Sequence, residues 1–374
     1  MRFSTLVKHP ADWMTGGSAD NSIVLTSRIR LARNLSHFAF PGWAKKEQRK
    51  EVMALLQPAV EGLACMKDGF SKELEALDSV SKQVMVERHL ISREHAARSQ
   101  GSAAVIERRQ SVAIMINEED HLRMQSIRPG LDLQEAYRLI SELDDELANE
   151  VEYAFDARLG YLTTCPTNLG TGMRASAMLH LPGLVISDQI GQVLQAVNKI
   201  GLAVRGIFGE GSESLGHLFQ ISNQSTLGES EEEILERLGR VIGQVEKNER
   251  YAREKLMEDD PDMVQDKVGR AYGLLRHAWL IPSKEALEHV SMLRLGADLG
   301  CFPEGTAPMC DELLMDIQPA HLQLHSGRKL SPEERDAIRA EIIRSRLQTL
   351  EAPDNCKLAD QNNGDNLPPD LGIL

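Results

Sequence analysis

The 374 residues carry 42% hydrophobic and 26% charged side chains, enough apolar material for one large domain or two ordinary ones and far from a disordered composition. A net charge of −14 with only 4% aromatic residues argues against nucleic-acid binding and against stacked base-binding platforms; it favours cationic partners such as arginine-rich protein surfaces. No apolar run reaches the roughly 18 residues of a membrane span, and the five scattered cysteines form no C-x-x-C pair, so a cytoplasmic protein with reduced thiols is expected.

Along the chain, Lys8, His9, Pro10 and Asp12 interrupt the N-terminus, which therefore offers no signal-peptide core. Ser22–Leu31 reads as a strand with Arg28 and Arg30 at alternate positions, hence on one face. Ala44–Leu63 has helical spacing, and Ser102–Glu118 predicts two short strands around Arg108–Gln110, the second (Val112–Ile116) apolar on both faces and so buried. A long helix is predicted over Leu133–Phe155, a strand over Leu159–Thr164, a Gly-rich loop over Cys165–Gly172 and helical stretches over Ala175–Ile200. Strands follow at Gly201–Phe208 and Leu218–Asn223. Ser230-x-x-Glu233 is a capping box opening a charged helix to Met257. Beyond the break at Asp259–Asp262 the signals are helical: Val264–His277, Ser283–Leu299, Asp311–Asp316 and Pro332–Leu350. Glu351–Leu374 lacks periodicity. The expected organisation is an α/β domain over residues 1–255, a helical domain over 256–350 and a disordered tail over 351–374.

The common nucleotide loops are absent: there is no G-x-x-x-x-G-K-[ST], and no H-R-D with D-F-G. Instead, arginines stand where strands end or loops begin. Arg28 and Arg30 share a strand, Arg123 follows the acidic run Asn117–Asp120, Arg174 follows the Gly-rich loop and Arg205 ends a strand. The planar guanidinium fork binds phosphate oxygens bidentately and stays charged. His89, His95 and His121 show no metal-ligand spacing with a supporting carboxylate, so no metal-ligating residue is predicted.

These positions fall into four ordered segments: Thr26–Ser27–Arg28–Ile29–Arg30, the run from Asn117 to Arg123, Cys165–Pro166–Thr167–Asn168–Leu169–Gly170–Thr171 with Arg174–Ala175–Ser176, and the run from Arg205 to Glu210. Together, over roughly residues 22–230, they resemble the signatures of the phosphagen (guanidino) kinases. The resemblance implies an α+β fold, a catalytic domain with an antiparallel sheet flanked by helices, followed here by an all-helical C-terminal domain. It implies that Ser27, Arg28, Arg30, Arg123, Arg174 and Arg205 bind ATP, with Mg²⁺ bridging phosphate oxygens. Glu119 and Glu210 would hold the acceptor guanidinium, one as base and one as anchor. Cys165 would add a thiolate's negative charge beside it, an electrostatic role and not that of a covalent nucleophile.

The family's small-substrate members carry a helical domain ahead of the first nucleotide segment. Here that segment begins near Ser22, and more than a hundred residues follow the second acidic motif. In both respects the chain resembles the bacterial protein-arginine kinases, which implies arginine-containing protein substrates, basic or unfolded, a Clp-type protease downstream, an activator protein and a homodimer. Ser331-Pro332-Glu333-Glu334 predicts a strong helix start. Arg335, Asp336 and Arg339 in its first turns resemble the phosphoarginine-binding motif of those kinases, through which product would act allosterically. A kinase of free arginine or another small guanidine, and a non-catalytic phosphoarginine-binding adaptor, remain the alternative readings.

Overall fold

The computed structural model describes residues 1–12, 23–98, 100–206 and 214–356. Ten strands are β1 (Val24–Arg33), β2 (Phe70–Glu73), β3 (Ala103–Ile106), β4 (Val112–Ile116), β5 (Leu122–Pro129), β6 (Phe155–Asp156), β7 (Gly160–Tyr161), β8 (Met173–His180), β9 (Leu202–Gly206) and β10 (Leu218–Asn223). Eight of them form one sheet in the order β2-β3-β4-β5-β1-β8-β10-β9, and β6 pairs with β7 alone. The pairs β2/β3, β3/β4, β4/β5 and β1/β5 are antiparallel. All five residues of β4 are buried, as an apolar strand inside a sheet requires.

The chain separates into two compact units, one built chiefly on Thr26–Ala177 and Ser222–Gly239, the other on Met178–Ile221 and the chain from Arg240 onward. In the first, Phe70, Leu74, Met85, Leu90, Ala104 and Ile106 pack one core cluster. In the second, Val264, Val268, Leu287, Val290, Leu293, Leu313 and Ile343 join helices Pro261–His277, Ser283–Asp298, Thr306–Asp316 and Pro332–Arg346. The expected antiparallel sheet flanked by helices and the helical C-terminal region are both present.

Several local expectations change. Ala175–His180, predicted helical, lies in β8: Met173, Ala175, Ala177 and Leu179 are buried, and pairing inside the sheet outweighs the helix propensity of its alanines. The Leu133 helix stops at Ala148, not Phe155, because the following segment is extended: Ser36 N–H donates to Glu152 C=O at 3.0 Å and Ala154 N–H to Asn34 C=O at 2.7 Å. The strand expected at Leu159–Thr164 shrinks to Gly160–Tyr161, and a helix at Pro319–Ser326 had no prediction. The capping box at Ser230 forms as expected, Ser230 N–H reaching Glu233 Oε2 at 2.7 Å and Glu233 N–H reaching Ser230 Oγ at 3.2 Å.

The expectation of five reduced thiols is also corrected: Cys301 and Cys356 form a disulfide across 55 positions of sequence. The pairing follows from tertiary hydrogen bonds that no spacing rule reveals. Asp354 N–H donates to Cys301 C=O at 3.0 Å, and Gln265 brackets the same segment, donating to Asp354 C=O at 3.0 Å and accepting from Cys356 N–H at 3.1 Å. Cys65, Cys165 and Cys310 remain free thiols.

Candidate active site

The face of β1 is set by alternation. Ser27, Ile29 and Leu31 are buried, while Arg28 and Arg30 project from the opposite face and stay partly accessible. In the antiparallel register Arg30 stands opposite Gln125 and Ala32 opposite Arg123, so Arg123 shares the face of Arg28 and Arg30. On β8, Arg174 alternates with buried Met173 and Ala175, and its charge reaches Arg30. Four guanidinium groups therefore crowd one side of the sheet. Burial, then the charge of Arg123, pushes Arg28 down to about 10. Burial, then repulsion from Arg28, Arg123 and Arg174, holds Arg30 well below the usual arginine range. Arg30 Nε is buried with no hydrogen-bond partner. A buried, under-neutralised cationic cluster with a spare donor fits a polyphosphate, whose oxygens supply both acceptors and charge.

The acidic motif occupies the turn between β4 and β5. Asn117 adopts φ +56°, a left-handed conformation that asparagine tolerates, and its N–H closes the turn onto His121 C=O at 2.9 Å. Three consecutive acids then take different roles. Glu118 is buried, accepts from Arg123 and from the Ser92 hydroxyl at 2.7 and 2.6 Å, and receives the Glu119 N–H at 2.8 Å. Burial alone would raise its pKa, but these partners hold it below the usual carboxylate value. Asp120 is buried and structural. Glu119 alone of the three is partly accessible, and burial, then the charges of Asp120 and Glu118, raises its pKa.

Cys165 is tied to that turn through the residue before it. The Thr164 hydroxyl donates to Glu119 C=O at 2.9 Å, and its N–H donates to Asp120 Oδ1 at 2.7 Å. Asn34 braces the same junction, donating to Asp120 Oδ1 at 2.6 Å and Leu162 C=O at 3.0 Å while accepting the His121 N–H at 2.9 Å. Beyond Cys165, whose Sγ lies 3.1 Å from Thr167 Oγ1, the loop is clamped by Thr226, whose hydroxyl reaches Thr167 C=O and Leu169 C=O at 3.1 and 2.7 Å. Gly170 makes that contact possible: at φ +108°, a Cβ would come within 2.2 Å of Thr226 O.

Thus Arg28, Arg30, Arg123, Arg174, Glu119 and Cys165 all belong to one compact unit. Ser27 does not join the arginines: its hydroxyl donates to Gly130 C=O at 2.7 Å and accepts Asp132 N–H at 2.9 Å, which fixes β1 against the 130–132 turn. Arg205 lies exposed on β9 in the other unit, and Glu210 falls outside the described residues. In the Pro332–Arg346 helix, capped by Ser331 as expected, Arg335 and Asp336 are partly accessible. Arg339 is 2% exposed and committed to Ile281 C=O, Ile317 C=O and Asp336 at 2.8, 3.1 and 2.5 Å, so it positions Asp336 and is not presented to a ligand. Sequence reasoning did not assign Glu118, Asp120, Asn34 or Thr164. The acidic run was the available signal for the first two, since three adjacent carboxylates cannot all face one ligand. Nothing in the sequence marked Asn34.

Comparison with known proteins places this arrangement. Residues 51–252 match the family model of the ATP:guanido phosphotransferase C-terminal catalytic domain, and residues 261–358 that of the protein-arginine kinase McsB C-terminal domain. Among solved structures, a lombricine kinase is similar with a TM-score of 0.55 at 24% identity over 64% of this chain and 71% of that one. A duplicated taurocyamine kinase from Schistosoma mansoni has a TM-score of 0.58 at 20% identity over 78% and 49% of the two chains. Fold and site thus define an enzyme of the guanidino phosphotransferase class. A protein-arginine kinase of Syntrophomonas wolfei is 48% identical over 91% of this chain and 96% of its own, and one of Brevibacillus brevis is 45% identical over the same shares. The chain belongs to the protein-arginine kinase family.

Proposed function

We propose that the chain transfers the γ-phosphoryl group of ATP to arginine side chains of proteins. The observation that carries this reading is the four-arginine face on β1, β5 and β8, in the same compact unit as a turn whose accessible carboxylate, Glu119, is hydrogen-bonded through Thr164 to the Cys165 segment. Arg28, Arg30, Arg123 and Arg174, with Arg205, bind the phosphates and neutralise charge on the transferring group. Mg²⁺ adds positive charge where it bridges phosphate oxygens. Among the described residues no three metal-capable side chains converge, so the ion is carried by the nucleotide. The acceptor guanidinium, with a pKa above ~12, must lose a proton as its nitrogen attacks phosphorus. Glu119, its pKa raised toward working pH, takes that proton; Glu210 anchors the cation and Cys165 stabilises it electrostatically.

The C-terminal helical region, residues 256–350 in this reading, binds phosphoarginine, Arg335 gripping the phosphoryl group and Asp336 the guanidinium. Residues 351–374 form the tail. The product marks proteins for a Clp-type protease, under an activator protein, in a cytoplasmic homodimer. Among the described residues no helix is long and apolar enough to cross a membrane. A cytoplasmic setting would place the Cys301–Cys356 bridge under reducing pressure.

Phosphorus NMR with Mg-ATP and an unfolded arginine-rich protein should show an acid-labile N–P resonance that disappears in Cys165→Ala. Signal with free arginine instead would favour a small-guanidine kinase, and signal with neither an adaptor. In a separate calorimetric titration, Arg335→Ala/Asp336→Ala should weaken phosphoarginine binding at least tenfold, about 1.4 kcal/mol, with ATP affinity unchanged. Equal loss of both would remove the second site.

A further inference from the structure

Trp43 is 87% exposed, yet the turn that carries it is rigidly held. Trp43 N–H and Ala44 N–H both donate to Phe40 C=O at 2.9 Å, and Pro41 and Ala44 on either side are buried. His121, from the acidic turn, anchors the approach to this segment: its Nε2 pairs with Ala39 C=O at 3.1 Å, its Nδ1 accepts Leu35 N–H at 3.0 Å, and Phe38 and Phe40 pack edge-on against its ring. A Cβ built on Gly42 would touch the Thr164 methyl at 4.0 Å. Thr164 is the residue that holds Glu119 C=O and precedes Cys165. The exposed indole is therefore mounted on the frame that positions the acceptor side of the site.

Leaving a tryptophan face in water forgoes much of the 150–250 Å² such a side chain can bury. A rigid mounting means little further ordering is lost when something covers it, the property of interface anchors. The neighbouring charges say what fits. Lys45 and Lys46, both exposed, lie two and three positions beyond Trp43, so a basic flank is repelled. We propose that Trp43 is a docking platform for the acceptor polypeptide, stacking an aliphatic or aromatic side chain that lies within a few residues of the target arginine, with acidic flanking residues drawn to Lys45 and Lys46. This rests on the reading that proteins are the acceptor and adds a selection rule to it: unfolded segments in which an arginine sits beside an apolar residue are preferred.

The test uses two single-arginine peptides, one with leucine and phenylalanine flanking the arginine and one with both replaced by serine, and the full-length protein. Wild type should show a KM roughly tenfold lower for the apolar peptide. Trp43→Ala should erase that difference by raising the apolar peptide's KM with kcat unchanged, and Trp43→Phe should restore most of it. Unchanged KM values in Trp43→Ala overturn the proposal. So does a shift from dimer to monomer by light scattering in Trp43→Ala with peptide KM intact, which would give the indole to a second copy of this chain. If wild type phosphorylates neither peptide yet phosphorylates free arginine, the protein-acceptor reading itself fails and the docking platform with it.

Discussion

Replacing Glu119 with glutamine is expected to lower kcat for arginine phosphorylation by roughly 10²–10⁴-fold, the usual contribution of a positioned proton acceptor, with ATP affinity little changed. Glutamine keeps the size of the side chain, and the contacts that place this residue are main-chain ones: its N–H donates to Glu118 Oε2 and its C=O accepts from the Thr164 hydroxyl. The geometry should therefore survive, and what goes is the charge and the ability to take a proton. Wild type carries a second signature. Burial and the neighbouring Asp120 and Glu118 raise the Glu119 pKa above its ordinary 4.5. The carboxylate is the working form, so activity falls as pH drops through that raised value, and the acid limb of kcat/KM should lie above 4.5. In Glu119→Gln the residual rate should lose this limb. A variant with near wild-type kcat, or one that keeps the same acid limb, would take the base role away from Glu119.

The strand face was legible because period-two alternation is a local property: Arg28 and Arg30 could be placed together, and the same rule put Ser27 on the buried side once the strand existed. Its assignment to the nucleotide came from proximity in sequence, which a one-residue step on a strand inverts. The convergence of Arg123 and Arg174 with this pair was suggested only by resemblance, since it depends on the β1/β5 register and on β8 lying next to β1. β8 was hidden because Met173–His180 reads as a good helix on its own and becomes a strand through its neighbours. The bracing residues were less visible still. Asn34 and Thr164 act across 86 and 45 positions, and the Cys301–Cys356 bridge across 55, distances at which spacing carries no information.

Arg30→Met is expected to cut kcat by roughly 10²–10³-fold, about 3–4 kcal/mol of transition-state stabilisation, and at the same time to raise the melting temperature of the nucleotide-free protein. The two effects have one cause. Burial and the charges of Arg28, Arg123 and Arg174 lower the Arg30 pKa. A base whose folded-state pKa is depressed is destabilising wherever it is charged in both states, which for arginine includes neutral pH. Methionine fills a similar apolar volume without charge, so it relieves the repulsion without opening a cavity. The electrostatic strain is what makes the cluster a strong polyanion site: phosphates remove repulsion as well as forming hydrogen bonds. Mg-ATP should therefore raise the melting temperature of wild type more than that of Arg30→Met. Lysine at this position should not recover the rate, because a point charge cannot reproduce the bidentate fork. Scanning calorimetry with and without nucleotide, alongside kcat, decides the matter. A variant that melts lower than wild type but keeps its activity would mean that Arg30 serves the fold and not the phosphate.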